Sequence, residues 1–305
     1  MKTFNEVYST WHDRKMINWT KDSAVVSNSL MTNHVLPMLG DKPINEIDLE
    51  MIDKLLMKMD KKGFTASRKK AYSKIVNVFK FAMGKKYIIS NPAKDIDLTM
   101  YKTKASTPRA TSVKPKDISR ILTILNNSYH HLQTWQVTIA SDLMKYMMSR
   151  PIEIAALEWI EVNFEDRVII IPKERMKSDR DHQIPMSNQV FKLLKEAETH
   201  RENSKYVFPS PRGQGPITTR SLLLRLRRAG IKSNELTTHG FRSMASTILN
   251  EGVHIQGYSK DAIEMQLAHK DTTQRGVYNH AAYFDTRVEM MQDWADYLDK
   301  ISKHT

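Results

Sequence analysis

A chain of 305 residues, 40% apolar and 27% charged, is long enough for two globular cores of ordinary composition. Its 47 lysines and arginines outnumber 34 acids for a net charge of +13, which favours a polyanionic partner: nucleic acid first, an anionic membrane surface second. The absence of cysteine excludes disulfides and thiolate chemistry. No apolar run approaches the ~18 residues that span a bilayer, and the N-terminus lacks the apolar core of a signal peptide. A soluble cytoplasmic protein with no membrane partner is therefore expected.

From Phe4 to about Ile96 the periodicity is helical. Phe4, Val7, Tyr8 and Trp11 form a first apolar stripe, and Ala24, Val25, Leu30 and Val35 suggest a second helix ending near Pro37 and Gly40. Asp48 can cap a third, with Ile52, Leu55, Leu56 and Met59 inward and Gly63 as its stop. In the fourth, Ala71, Ile75, Val78, Phe79 and Ala82 recur at spacings of three and four. Arg68, Lys69, Lys70, Lys74 and Lys80 are expected to crowd its remaining surface, with no acid between Gly63 and Asp95, which points to phosphate contact rather than a merely solvated face.

Residues 101–116 carry five basic residues, no acids, two prolines and no periodicity. They read as a linker between a helical domain over 1–100 and a second domain over 117–305, with Lys104 and Arg109 lying along a phosphate backbone. The second domain opens with a helix from Asp117, burying Ile118, Ile121, Leu122 and Leu125, and a helical stretch from His131 to Met148 that ends at Ser149-Arg150-Pro151. Pro151 suits a first helical turn, so Arg150 sits at a sharp junction with Glu153 as its nearest partner. The period then shortens: Trp159 to Phe164, Arg167 to Pro172 and His182 to Pro185 read as strands, with Lys177 in the charged loop before the third. Helices resume at Asn188 to His200 and Thr218 to Gly230. The latter presents Arg220, Arg225, Arg227 and Arg228 without an acid, a second face for phosphates, in which Arg225 and Arg228 are the contacts expected. Ala282 to Ile301 closes the chain as a packing helix.

The stretch from Thr237 to His280 concentrates chemistry. His239 and Arg242 stand three apart, as residues on one helix face do; His269 follows, and Tyr278 nine residues later. Two imidazoles with a permanent cation make an anion clamp, and a phenol is a nucleophile once deprotonated. His182 and His254 read as structural or surface residues.

Set together, Arg150-x-x-Glu153, Lys177-x-x-x-x-His182-x-Ile-Pro-Met-Ser, His239-Gly-Phe-Arg242, Leu267-Ala-His269 and Tyr278 resemble the boxes of the tyrosine recombinase (phage integrase) family, and the chain is most similar to integrases of satellite phages and genomic islands. The resemblance implies a mostly α fold with a small antiparallel β-sheet, a helical core-binding domain joined to a mixed α+β catalytic domain. It implies a site-specific DNA recombinase with Arg150, Lys177, His239, Arg242, His269 and Tyr278 as catalytic residues and Glu153 in support. Tyr278 forms a 3′-phosphotyrosine, Lys177 protonates the departing 5′ oxygen, and no metal or cofactor is required. Only Tyr278, not Tyr283, has the family's spacing from His269. Partners would be double-stranded DNA, three further protomers passing through a Holliday junction, and an excisionase or DNA-bending protein, all in a bacterial host cytoplasm. Two departures stand out: integrases of this group usually carry an N-terminal arm-binding domain, for which nothing here precedes Phe4, and Ser149 stands where glycine is common. A type IB-like topoisomerase and a catalytically silent DNA-binding regulator are the rival readings.

Overall fold

The computed structural model describes residues 1–101, 113–128, 134–176, 180–255, 257–269 and 283–303. The chain divides into two compact units, residues 1–106 and 107–305.

In the first unit, α1 (Phe4–Met16) starts at a reciprocal cap, Thr3 accepting from the Glu6 backbone while Glu6 accepts from Thr3 N. It is followed by α2 (Lys21–Leu30), a π-type turn (Met31–Val35), α3 (Leu36–Leu39), α4 (Leu49–Lys61) and α5 (Thr65–Gly84). Asp48 caps α4 by accepting the Met51 N–H at 2.8 Å. The stripes of α1, α4 and α5 enclose one core, in which Phe4 and Phe79 pack with ring centroids 5.6 Å apart.

Three expectations for this unit need correction. Val25 is 67% exposed, because α2 and the turn after it turn Ala24, Ser27 and Met31 inward and leave Val25 on the opposite side. Arg68 is fully buried rather than part of a basic surface. It lies three residues before Ala71 and seven before Ile75, on the same stripe, and its charge meets Asp60 at 3.4 Å while its guanidinium lies 4.5 Å from the Tyr101 ring centroid. Lys74 is half-buried over Trp19, with Nζ 4.7 Å from the ring centroid, and burial lowers its pKa. The exposed basic residues of α5 are Lys69, Lys70 and Lys80.

The second unit is built from α6 (Pro115–Asn127), α7 (Trp135–Tyr146), α8 (Pro151–Ala155), a three-stranded sheet, α9 (Asn188–Thr199), α10 (Thr219–Arg228), α11 (Gly240–Glu251), α12 (Lys260–Gln266) and α13 (Phe284–Ser302). The sheet runs β1 (Val162–Asn163), β2 (Val168–Ile171), β3 (His182–Pro185), antiparallel throughout, with Ile169 opposite Ile184 and Ile171 opposite His182. The first strand is shorter than its sequence suggests. Trp159–Glu161 winds into a 3-10 turn because Glu161 turns back to accept the Glu158 N–H at 2.8 Å and pairs with Arg175, which breaks the two-residue period.

Helix α13 packs against α6 and α7, and one face of it is part of the core. Met290, Met291 and Trp294 are fully buried, Trp294 Nε1 donates to the Lys145 carbonyl at 2.9 Å, and Ser119 Oγ donates to the Ile301 carbonyl at 2.6 Å. Among the described residues, no helix is long and apolar enough to cross a membrane. Replacing Trp294 with Ala removes a buried ring and strands the Lys145 carbonyl, so urea unfolding should show a loss of about 3–5 kcal/mol.

Candidate active site

Two tight turns build the site. Helix α7 ends at Tyr146, and the chain turns through Met148 (φ 54°) and Ser149 to Arg150, the N-cap of α8 with Pro151 at the first helical position. Glu153, itself buried, holds Arg150 twice, accepting its backbone N–H at 2.8 Å and its Nη1 at 2.6 Å. Ser149 is buried there, its Oγ donating to the Met147 carbonyl at 3.3 Å.

The second turn ends α12. Ala268 N–H bonds to the Met265 carbonyl, His269 N–H reaches back to the Glu264 carbonyl, and Ala268 adopts φ 45°. This pair of bonds around a left-handed residue is the Schellman helix stop, here made with Ala in place of the usual Gly.

The two turns are tied together by arginines. Arg150 Nη2 donates to the Ala268 carbonyl at 3.1 Å. Arg242, in the first turn of α11, is 92% buried and donates Nη1 to the Met148 carbonyl at 2.8 Å and Nη2 to the Leu267 carbonyl. Arg150 and Arg242 therefore converge on the same two turns. His239 occupies the N-cap position of α11 and is exposed, and His269 stands at the end of the second turn with Nδ1 2.6 Å from Glu264 Oε2. Lys177, Tyr278, Lys104 and Arg109 lie outside the described residues. Tyr283, the rival to Tyr278, lies 3.5 Å from Asp261 Oδ2 through its hydroxyl. His254 is exposed, stacked 5.9 Å from the Tyr297 ring.

The sequence profile of the phage integrase family matches residues 111–284, and that of the phage integrase central domain matches residues 4–98. The chain is 34% identical over 298 residues to prophage integrase IntZ of Escherichia coli (strain K12), covering 98% of this chain and 71% of that protein. It is 31% identical over 302 residues to the integrase of Shigella phage Sf6, covering 98% of this chain and 76% of that one. The chain belongs to the phage integrase family, the tyrosine-type site-specific recombinases. The fold agrees. A lambda integrase dimer bound to a COC′ core site superposes with TM-score 0.69 at 16% identity, over 89% of this chain and 97% of that one. The Tn1549 transposon integrase in complex with a circular intermediate DNA superposes with TM-score 0.71 at 19% identity, over 95% and 99%. The topoisomerase and silent-regulator readings are not favoured by these matches.

In this integrase, three further buried residues surround these turns, and none was expected among the catalytic or supporting residues. Gln266 is fully buried; its Nε2 donates to the Met147 carbonyl at 3.2 Å, and its Oε1 accepts from Arg287 Nε at 3.0 Å and Nη2 at 2.8 Å. Arg287, 3% exposed on α13, also donates Nη2 to the Gln183 carbonyl of β3. The third is His182 of β3, a structural histidine as expected but deep in the site. Burial pushes its pKa down to about 3, helped by the nearby charges of Arg287, Arg242 and Arg150. The available signal was Arg287 itself, a charge three, four and seven residues before Met290, Met291 and Trp294 on an otherwise apolar stripe.

A further expected DNA contact is overturned in the second unit. Arg225 is 96% buried, its Nη2 3.7 Å from Asp142 Oδ1 and 3.5 Å from the Leu125 carbonyl, because it lies on the inward face of α10 with Leu222 and Leu226. Arg227 is likewise engaged with the Ile231 and Leu236 carbonyls, whereas Arg220 and Arg228 are exposed. Among the described residues, no group of three or more His, Asp or Glu is gathered so as to hold a metal ion.

His182 makes a pH prediction. Its folded pKa lies below its unfolded value, so below about pH 6.5 the unfolded chain takes up a proton that the folded chain refuses. Its contribution to stability is complete above that pH and is lost as pH falls toward 3. Unfolding free energies from urea titrations between pH 7 and pH 4 should drop less steeply for His182→Asn than for the wild type, by up to about 1.4 kcal/mol per pH unit.

Proposed function

We propose that this integrase cuts and rejoins double-stranded DNA through a covalent bond between Tyr278 and a 3′ phosphate, integrating or excising a mobile element. A phosphodiester under attack gains charge on its non-bridging oxygens, and two guanidiniums offer paired N–H donors to that charge as it develops. The observation that carries the reading is that Arg150 and Arg242, from separate elements, both hang on the turns of Met148 and of Leu267 to Ala268. Of His239 and His269, one adds a hydrogen bond to the phosphate and the other takes the phenol proton.

In the cleavage step the Tyr278 oxygen forms a bond to phosphorus and the bond from phosphorus to the 5′ oxygen breaks. The phenol proton leaves to a histidine, and Lys177 protonates the departing 5′ oxygen. The phosphotyrosine conserves the energy of the broken linkage, so a 5′ hydroxyl from another strand can reverse the step. A four-protomer assembly on paired duplexes passing through a Holliday junction would complete the exchange; a lambda integrase tetramer of the same fold has been seen bound to such a junction. Accessory excisionase or DNA-bending proteins fit the same scheme.

Incubation with a suicide half-site, nicked so that the short 5′ product diffuses away, should give a covalent protein–DNA adduct on denaturing gels. Tyr278→Phe should abolish the adduct and leave half-site binding intact; an adduct persisting in that variant would move the nucleophile elsewhere. Lys69 and Lys70, exposed on α5, are proposed phosphate contacts. Replacing both with Gln should weaken binding and reduce the slope of log K against log salt by about two.

A further inference from the structure

Neither histidine of the site had been assigned a proton-transfer role by its position in the chain. The surroundings of His269 separate it from His239. His239 occupies the N-cap position of α11 without a side-chain capping bond. His269 is tied to one residue by both backbone and side chain: its N–H bonds to the Glu264 carbonyl at 3.2 Å, and its Nδ1 lies 2.6 Å from Glu264 Oε2. The first contact causes the second. The left-handed turn at Ala268 folds the chain back over the last turn of α12, so that the residue after the turn lies beside the residue five positions earlier.

An ionised carboxylate can only accept hydrogen bonds, so the contact requires the hydrogen to sit on Nδ1. In the neutral ring, Nε2 then carries the lone pair. The preceding residue, Ala268, receives Arg150 Nη2 on its carbonyl at 3.1 Å, so the ring is presented from the same turn that holds the phosphate-binding arginine.

We propose that Glu264 is a positioning residue for strand cleavage: it holds His269 in the Nδ1–H tautomer so that Nε2 accepts the proton of the attacking phenol, and it stabilises the imidazolium that results. The inference rests on the reading of His269 as part of the cleavage site. In the step so described, the Tyr278 proton moves to His269 Nε2 as the bond from oxygen to phosphorus forms, and the proton lost to the 5′ oxygen comes from Lys177. Glu264 takes up no proton; its charge matches the one that appears on the ring. With its side chain 40% exposed on the solvent side of a short helix, Glu264 can be replaced without opening the core.

The test is a double-mutant cycle on the full chain with the suicide half-site, reading the single-turnover rate of adduct formation and the half-site Kd separately. Glu264→Ala should slow adduct formation roughly tenfold, the scale of a lost charge-assisted hydrogen bond, with Kd unchanged. In a His269→Ala background it should slow the reaction no further. Long-range nitrogen–proton spectra of histidine-labelled protein supply a readout independent of turnover. His269 should show a protonated Nδ1 and a bare Nε2 in the wild type, shifting toward the ordinary Nε2–H form in Glu264→Ala. A wild-type rate in Glu264→Ala, an equal loss with and without His269, or an unchanged ring tautomer would each overturn the proposal. A wild-type rate in His269→Ala would overturn it together with the role of that histidine, whereas the Tyr278→Phe adduct assay judges the nucleophile on its own.

Discussion

The cross-tie between the turn after α7 and the turn after α12 is the constraint on which the rest of the site depends. Met148 and Ala268 both adopt left-handed backbone conformations that cost a non-glycine residue roughly 1–2 kcal/mol. Such conformations persist where the surroundings over-determine them. Here the surroundings are guanidiniums: the carbonyls of Met148, Leu267 and Ala268 are the acceptors that Arg242 and Arg150 use. Glycine would relax either turn, but at Met148 it would also delete a side chain that is 1% exposed in the core. A buried methionine and a strained backbone are thus one solution to two demands.

The groups behind the arginines are chosen for what they lack. A carboxylate at position 266 would pair with Arg287 more strongly than an amide does, but it would also cancel part of the positive potential set up by the arginines. Gln266 satisfies Arg287 with a neutral oxygen and spends its amide hydrogen on the Met147 carbonyl. His182 follows the same logic from the other side. Held neutral by burial and by three nearby guanidiniums, it adds no fourth charge to theirs. Glu153 is the exception, and its double hold on Arg150 sets a direction as much as it balances a charge.

What was legible in the sequence was whatever repeats locally. The stripes of α1, α4, α5 and α6 and the position of Arg150 against Glu153 follow from spacings of three and four. Two of the errors concern arginines. Arg68 and Arg225 have no acid nearby in the chain, so each looked like an exposed phosphate contact, yet Asp60 and Asp142 reach them across helix packing. Sequence neighbourhood predicts ion pairs within a helix and is blind to those between helices. Gln266, Arg287 and His182 were missed as members of the site for the same reason, since their partners lie on elements far away in the chain. Trp159 to Phe164 alternates like a strand, but the Glu161 carboxylate, accepting from the Glu158 N–H and pairing with Arg175, turns half of it into a helical turn.

Both turns are also helix C-termini, and this explains why arginine is the side chain that joins them. A helix ends with carbonyls that have no intrahelical partner and with the negative end of its dipole, so cationic donors are favoured there. The end of α7 offers the carbonyls of Met147 and Met148, and the end of α12 those of Leu267 and Ala268. A guanidinium has five N–H groups in a rigid plane and uses only part of that fork on carbonyls. Arg150 spends one nitrogen on Glu153 and another on Ala268, and its side chain remains 23% exposed. The helix ends therefore bind the arginines from behind, and part of the Arg150 fork stays open to solvent. A lysine at either position would satisfy one carbonyl at a time, but could not bridge two partners in a fixed plane.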